Sequence, residues 1–396
     1  MSASTLSGPR PVILAFLRYY LPGYKSGGPL RTISNMVEAL GDEFDFRVVT
    51  SDRDATDSKP YPGLIDGEWN KIGKAHVLYL SPAQKGLRRI VRILRETPHD
   101  VLYLNSFFDP DFTQKPLLVR GLGLAPKARC LIAPRGEFSQ GALKLKATKK
   151  KAFLFAARAV GLYRGVEWQA SSEHEEADIR RMLGSIARHV RVAINLPDMT
   201  ARELPHSVPR AEGEPLRVIF LSRISPMKNL VFVLEVLQQV KVPVRLDIYG
   251  PVRDEEYWAQ CRDLMAKLPV HVEAFYHGSV EHNRVSPILA GYDLFFLPTL
   301  GENYGHVILE SLAAGTPVLI ADTTPWRSLA EAGVGWDLPL ERPRAFVESI
   351  EAIARLCPTE LAAMRSRALS FAETRRIDQE AIEANRRLFL TEVQQT

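Results

Sequence analysis

Cysteine is scarce in this chain of 396 residues: Cys130, Cys261 and Cys357 are the only three, far apart and in no C-x-x-C pair. An odd, scattered set excludes a disulfide framework and a cysteine-built zinc site, and points to a reducing compartment. Long apolar runs are also missing. None reaches the roughly 18 residues of a membrane-spanning helix. The first run, Pro11 to Leu17, is ended by Arg18. It is short for a signal segment and lacks a cleavage context, so it reads as a first strand and the protein as cytoplasmic. The nine histidines show no ligand spacing, and no metal or other cofactor is expected. Internal repeats and low-complexity tracts are absent from the sequence.

What is present describes a folded chain of more than one domain. Apolar residues make up 46% and charged residues 24%, which suits a globular protein, and 396 residues exceed one ordinary core. The net charge of +5 implies an acidic partner. Strand-like runs at Val12–Phe16, Phe46–Thr50, His76–Leu80, Val101–Asn105, Cys130–Ala133 and Val166–Ala170 alternate with helical patterns. One helix starts near Pro29 and carries Leu30, Ile33, Met36, Val37 and Leu40 on one face. Residues 198–215 hold three prolines and no hydrophobic period, as a linker does. Alternation then resumes with Leu216–Leu221, Arg245–Tyr249, Val270–Tyr276, Asp293–Leu297 and Pro317–Ala321. The fold class is therefore α/β: two Rossmann-like, doubly wound domains facing each other across a cleft, with ligands at the carboxyl ends of the strands. The expected domains are 1–197, 216–372, and a C-terminal helical segment, 373–396, returning to the first domain.

The chain is organised around Leu300 to Glu310. A buried strand precedes this stretch, and a helix ending at Gly315-Thr316-Pro317 follows it. Glu302 lies in the loop and Glu310 on the helix, while Gly305 leaves the helix N-terminus bare, where free N–H groups favour an anion. Two carboxylates around an amide nest fit hydroxyls flanking a phosphate, as in a nucleotide sugar. After the strand Leu216–Leu221 come Arg223 and Lys228, a fork and a point charge suited to a diphosphate. The loop Gly27-Gly28-Pro29 follows the first strand and faces the same end of its sheet; it also reads as a flexible turn.

The E-x7-E pair, the run Ser222 to Asn229 and the Gly27-Gly28 loop, in this order over nearly the whole chain, resemble the family 4 retaining glycosyltransferases of the GT-B type, with a likeness at Pro134 to Phe138 to a bacterial polysaccharide and lipopolysaccharide subgroup. The resemblance implies transfer of a sugar from a nucleoside diphosphate donor to a hydroxyl acceptor, such as a cell-surface glycan or lipid-linked intermediate. It assigns Arg223 and Lys228 to the diphosphate, Glu310 to the ribose diol and Glu302 to the sugar. Amides of Asn303, Tyr304, Gly305, His306 and Val307 go to phosphate, and backbone groups of His277, Gly278 and Val280 to the base, while Gly250, after its strand, reads as a tight turn towards the nucleotide. Members are thought to react by front-face attack, the leaving phosphate taking the acceptor's proton. The loop after the fourth strand, where many members carry a histidine, reads Leu104-Asn105-Ser106-Phe107-Phe108-Asp109. That departure puts a catalytic histidine in doubt and leaves Asn105, Arg135 and Glu137 as candidates for donor or acceptor contact, or a salt bridge.

Other readings compete. Asp52-Arg53-Asp54 and Asp109-Pro110-Asp111 match a D-x-D metal motif without the rest of that pattern, and Ser172 with Glu175 reads as a capping box rather than part of a ligand set. Residues 144–164 and 85–95 mix basic residues with aromatics and leucines, as in a helix on an anionic membrane at the inner face, or an ordinary packed helix. Nucleic acid is not expected, for want of a recognition motif. An epimerase, a phosphorylase and a non-catalytic basic binding protein are the rival functions.

Overall fold

The computed structural model describes residues 9–65, 67–138, 153, 154, 157, 161–198, 210, 211, 213–376 and 378–390. The chain divides into two compact units, the first comprising residues 1–199 and 378–396, the second 200–377. The expected linker lies largely outside the described residues.

The first unit is built on eight strands: β1 (Val12–Phe16), β2 (Asp45–Ser51), β3 (Trp69–Ile72), β4 (Ala75–Leu80), β5 (Val101–Asn105), β6 (Arg129–Ala133), β7 (Glu167–Ala170) and β8 (Val190–Val192). Their order is β3-β4-β2-β1-β5-β6-β7-β8, parallel throughout except for β3 against β4. The central strands read as unbroken apolar runs because helices cover both faces. Helices α1 (Gly28–Leu40), α2 (Leu87–Glu96), α3 (Lys115–Gly121) and α4 (Glu173–Leu183) join them. The stripe of α1 expected to face inward, Leu30, Ile33, Met36, Val37 and Leu40, is buried.

The second unit has six parallel strands: β9 (Leu216–Leu221), β10 (Val244–Tyr249), β11 (Val272–Gly278), β12 (Leu294–Leu297), β13 (Val318–Ala321) and β14 (Gly335–Leu338), in the order β11-β10-β9-β12-β13-β14. Its helices are α5 (Leu230–Leu237), α6 (Glu255–Met265), α7 (His282–Ala290), α8 (His306–Ala313), α9 (Pro343–Arg355) and α10 (Pro358–Arg376). The last helix, α11 (Gln379–Phe389), belongs to the first unit. There Phe389 meets the rings of Phe44, Phe46 and Tyr103, with centroids 5.5, 5.7 and 5.4 Å away. Arg129 holds the end of this helix through the carbonyls of Leu388, Phe389 and Leu390.

Each sheet reverses direction once. In the first, β1 has β2 on one side and β5 on the other; in the second, β9 lies between β10 and β12. Such switch points part the loops at the carboxyl ends and open a crevice there.

Three strands lack a clear sequence signal: β3 carries Asn70 and Lys71, β8 has three residues around Arg191, and β14 contains Gly335 and Asp337. Val270, expected to begin a strand, is 99% exposed, and the strand starts at Val272. The capping box at Ser172 is only half formed. Ser172 Oγ accepts from the Glu175 N–H at 3.2 Å, but the buried Glu175 carboxylate turns to Gly136 N (2.6 Å), Ser171 N (2.8 Å) and Ser171 Oγ (2.6 Å). Those three donors outcompete the single Ser172 amide.

Candidate functional site

The switch point of the second unit brings together the loops after β9 and β12. The first, Ser222 to Asn229, is clamped on one side by a bridge from Ile224 to Val252 and by the Arg253 N–H donated to Ile224 O at 3.1 Å. The buried Thr299 stitches it to the second loop: its Oγ donates towards Met227 O (3.0 Å) and Gly301 O (2.9 Å), and the Leu300 N–H adds a bond to Met227 O at 2.9 Å. Thus seated, the buried Lys228 makes an ion pair and hydrogen bond with Glu302. Arg223 stands in the same field. Burial pushes its guanidinium below the ordinary arginine value, Glu302 pulls it back up, and neighbouring Arg253 lowers it further. No hydrogen bond or ion pair holds the Arg223 side chain among the described residues.

Gly305 caps α8 with φ 78°, and a Cβ there would stand 2.7 Å from Ile308 Cδ1 and 3.2 Å from Glu302 Cγ. Only glycine combines that left-handed turn with such closeness. Beyond it, the Val307 N–H makes no hydrogen bond among the described residues. Asn303 Nδ2, by contrast, is both buried and without a hydrogen-bond partner. Buried donors without acceptors are costly, and they cluster where a ligand supplies the acceptor. Trp326 supports the loop from behind, donating Nε1 to Tyr304 O at 2.5 Å, and the Tyr304 ring packs 4.7 Å from His306. Glu310, half-buried on α8, has Oε1 3.7 Å from His282 Nδ1 at the start of α7.

Gly250 is fixed by a close approach, since a Cβ would fall 1.9 Å from Ser222 O. Its N–H donates to Gly278 O at 2.7 Å and its carbonyl accepts from Tyr276 OH at 2.9 Å. The His277 ring is committed to Asp247 Oδ1 at 2.5 Å and stacks on Tyr249, centroids 4.6 Å apart. Val280 packs partly against the core. Thr299, Arg253, Trp326 and His282 carry no motif of their own; their parts follow from the packing of loops distant in sequence.

In the first unit, Gly27 (φ 85°) caps α1, and a Cβ on Gly28 would meet open space. Arg135 and Glu137 do not pair. Arg135 donates Nε and Nη2 to Asn105 Oδ1 (3.1 and 2.7 Å), Nη1 to Asn195 Oδ1 (2.8 Å) and Nη2 to Tyr103 OH (2.5 Å). Glu137 accepts from Ser106 Oγ (2.7 Å), Phe107 N (2.6 Å) and Phe108 N (3.0 Å), with burial raising its carboxyl above the usual range. Asn105 Nδ2 remains buried and unpartnered beside them. The D-x-D acids are engaged locally. Asp52 binds Arg53, Asp54 accepts the Tyr24, Lys25 and Ala55 amides, Asp109 takes Arg18 at 2.6 Å and two amides, and Asp111 pairs with Lys115 at 2.6 Å. Of residues 144–164, only 153, 154, 157 and 161–164 are described.

Two parallel-sheet α/β units of this kind define the GT-B fold of glycosyltransferases. Residues 202–368, within the second unit, match the family Glycosyl transferases group 1. A phosphatidyl-myo-inositol mannosyltransferase of Mycobacterium leprae is 26% identical over 197 residues, covering 46% of this chain and 51% of the relative. The match thus spans about half the length of that curated protein. Among solved structures, HepE of Anabaena in complex with UDP and glucose superposes with a TM-score of 0.64 at 17% identity, covering 96% of this chain and 98% of the other. Sucrose-phosphate synthase of Thermosynechococcus elongatus gives 0.68 at 14% identity, with the same coverages of 96% and 98%.

Proposed function

We propose that the protein is a retaining glycosyltransferase of family 4 that moves a sugar from a nucleoside diphosphate to a hydroxyl of a lipid-linked or cell-surface glycan acceptor. The observation that carries this reading is the convergence of Lys228, Arg223, Glu302 and the Gly305-capped start of α8 at one switch point. In the proposed reaction the bond from the anomeric carbon to the phosphate oxygen breaks as the acceptor oxygen forms its bond on the same face. The acceptor's proton passes to the departing phosphate oxygen. Arg223, Lys228 and the amides at the head of α8 take up the charge that grows on the diphosphate, in the part that a metal plays in D-x-D enzymes. Glu302 orients sugar hydroxyls and Glu310 the ribose diol. The nucleotide sugar is a substrate, and the scheme requires no cofactor.

The first unit, in this reading, presents the acceptor. The relative from Mycobacterium leprae is named for a lipid acceptor. On this chain, α2 buries Ile90, Ile93 and Leu94 and leaves Arg88, Arg92 and Arg95 exposed, with Leu87, Leu118 and Leu122 exposed on α2, on α3 and just after it. Basic side chains beside exposed leucines fit the inner face of an anionic membrane.

The test follows a nucleotide sugar by NMR with water in place of the acceptor. Slow release of the unchanged sugar, first as the anomer of the donor, lost in Lys228→Ala, is the expected result. Release of an epimer, or of the opposite anomer first, contradicts the proposal.

A further inference from the structure

The second unit has a cavity of about 500 Å³ at the opposite end of its sheet, where β9 and β12 begin. A space of that size suits a small metabolite. Its wall includes Arg210, Arg217, Arg355 and Arg365 around one carboxylate, Asp293, which is wholly buried. Arg217 grips Asp293 with Nη2 to Oδ1 at 2.7 Å and Nε to Oδ2 at 3.1 Å. Arg210 Nε stands 3.8 Å from Asp293 Oδ2 and is held by the carbonyls of Ala354 (2.9 Å) and Glu214 (3.1 Å). Arg365 is fixed by the carbonyls of Tyr292 (2.6 Å) and Ala290 (2.7 Å), and Arg355 pairs with Glu351 at 2.9 Å. Arg217 and Arg210 therefore share the Asp293 carboxylate, whose charge also acts on Arg365. Two further acids turn their carboxylates to backbone N–H groups of the wall, Glu214 beside Arg217 to Ala211 at 3.0 Å and Glu360 to Cys357 at 2.9 Å. A concave, part-buried surface that presents guanidinium forks held in place by carbonyls is preset for phosphate oxygens.

We propose that this cavity is a second ligand site, for a small phosphate-bearing anion, distinct from the nucleotide-sugar site. The two lie at opposite ends of β9, roughly 17 Å apart at about 3.3 Å per residue.

A reporter is built in. Cys357 lines the cavity and is exposed, whereas Cys130 and Cys261 are buried. The test measures alkylation of Cys357 by iodoacetamide in the full chain, with inorganic phosphate against chloride at matched ionic strength, and with glycerol phosphate in a further arm. The expected result is a saturable slowing of at least about threefold by phosphate, abolished in Arg210→Gln/Arg355→Gln. In that variant the rate in chloride and the stabilisation by nucleoside diphosphate stay unchanged, which shows an intact fold. Stronger protection by glycerol phosphate identifies an ester as the ligand; protection by inorganic phosphate alone identifies the free ion. Equal rates in phosphate and chloride, or slowing that survives in the variant, overturns the proposal whether or not the protein transfers sugar.

Discussion

At the scale of single residues, the site depends on charges held by specific neighbours. Lys228 is buried, and Glu302 compensates its charge. Lys228→Ala removes a cation from the diphosphate and leaves Glu302 without its partner. On the proposed mechanism it lowers kcat by about 100- to 1,000-fold, the usual loss for one transition-state donor, as steady-state kinetics would read. Gly305→Ala fails for a different reason. Its φ of 78° and the Ile308 methyl 2.7 Å from the new Cβ impose strain, expected to cost on the order of 1–3 kcal/mol in urea unfolding. Glu137 supplies a pH prediction. Its folded carboxyl is raised by burial, so the folded state holds a proton that the unfolded chain has released, and stability falls as pH rises from about 4.3 through the folded value. Glu137→Gln flattens that part of the curve, measured as urea midpoint against pH.

At the scale of elements, legibility followed burial on both faces. The central strands β1, β12 and β13 are continuous apolar runs, and β5 and β9 are broken only by Asn105 and Arg217, so their places could be read directly. Edge strands β3, β8 and β14 could not, because half-exposed positions carry Asn70, Lys71, Arg191 and Asp337. The elements of the site were legible where one short stretch holds both a backbone device and a charge, as in Gly305 with Glu302 and Glu310. They were not legible where the partner comes from far away: Thr299 meets Met227, and Trp326 supports Tyr304. Arg135 and Glu137 stand two apart, yet their partners, Asn195 and Ser106 among them, come from other loops. The helix α11 is itself testable. Phe389 is 2% exposed amid three aromatic rings, so Phe389→Ala should destabilise the first unit by about 3–5 kcal/mol. Nucleotide binding by the second unit should persist, as calorimetry would show.

At the scale of the whole molecule, two sheets share one plan, each with a switch point at the carboxyl ends of its strands. The family match falls on the second unit, where the charged loops meet. On the proposed function, this switch point binds a nucleoside diphosphate through Arg223, Lys228, Glu310 and the head of α8. Thermal unfolding of the full chain with UDP, GDP or ADP, with and without EDTA, tests it most directly. A ligand at about 100 times its Kd adds roughly 2.7 kcal/mol, enough for a clear rise in Tm. One of the three nucleotides is expected to raise Tm, indifferent to EDTA, and Lys228→Ala and Glu310→Ala to abolish the rise. No rise with any of them, or a rise undiminished in both variants, would contradict it.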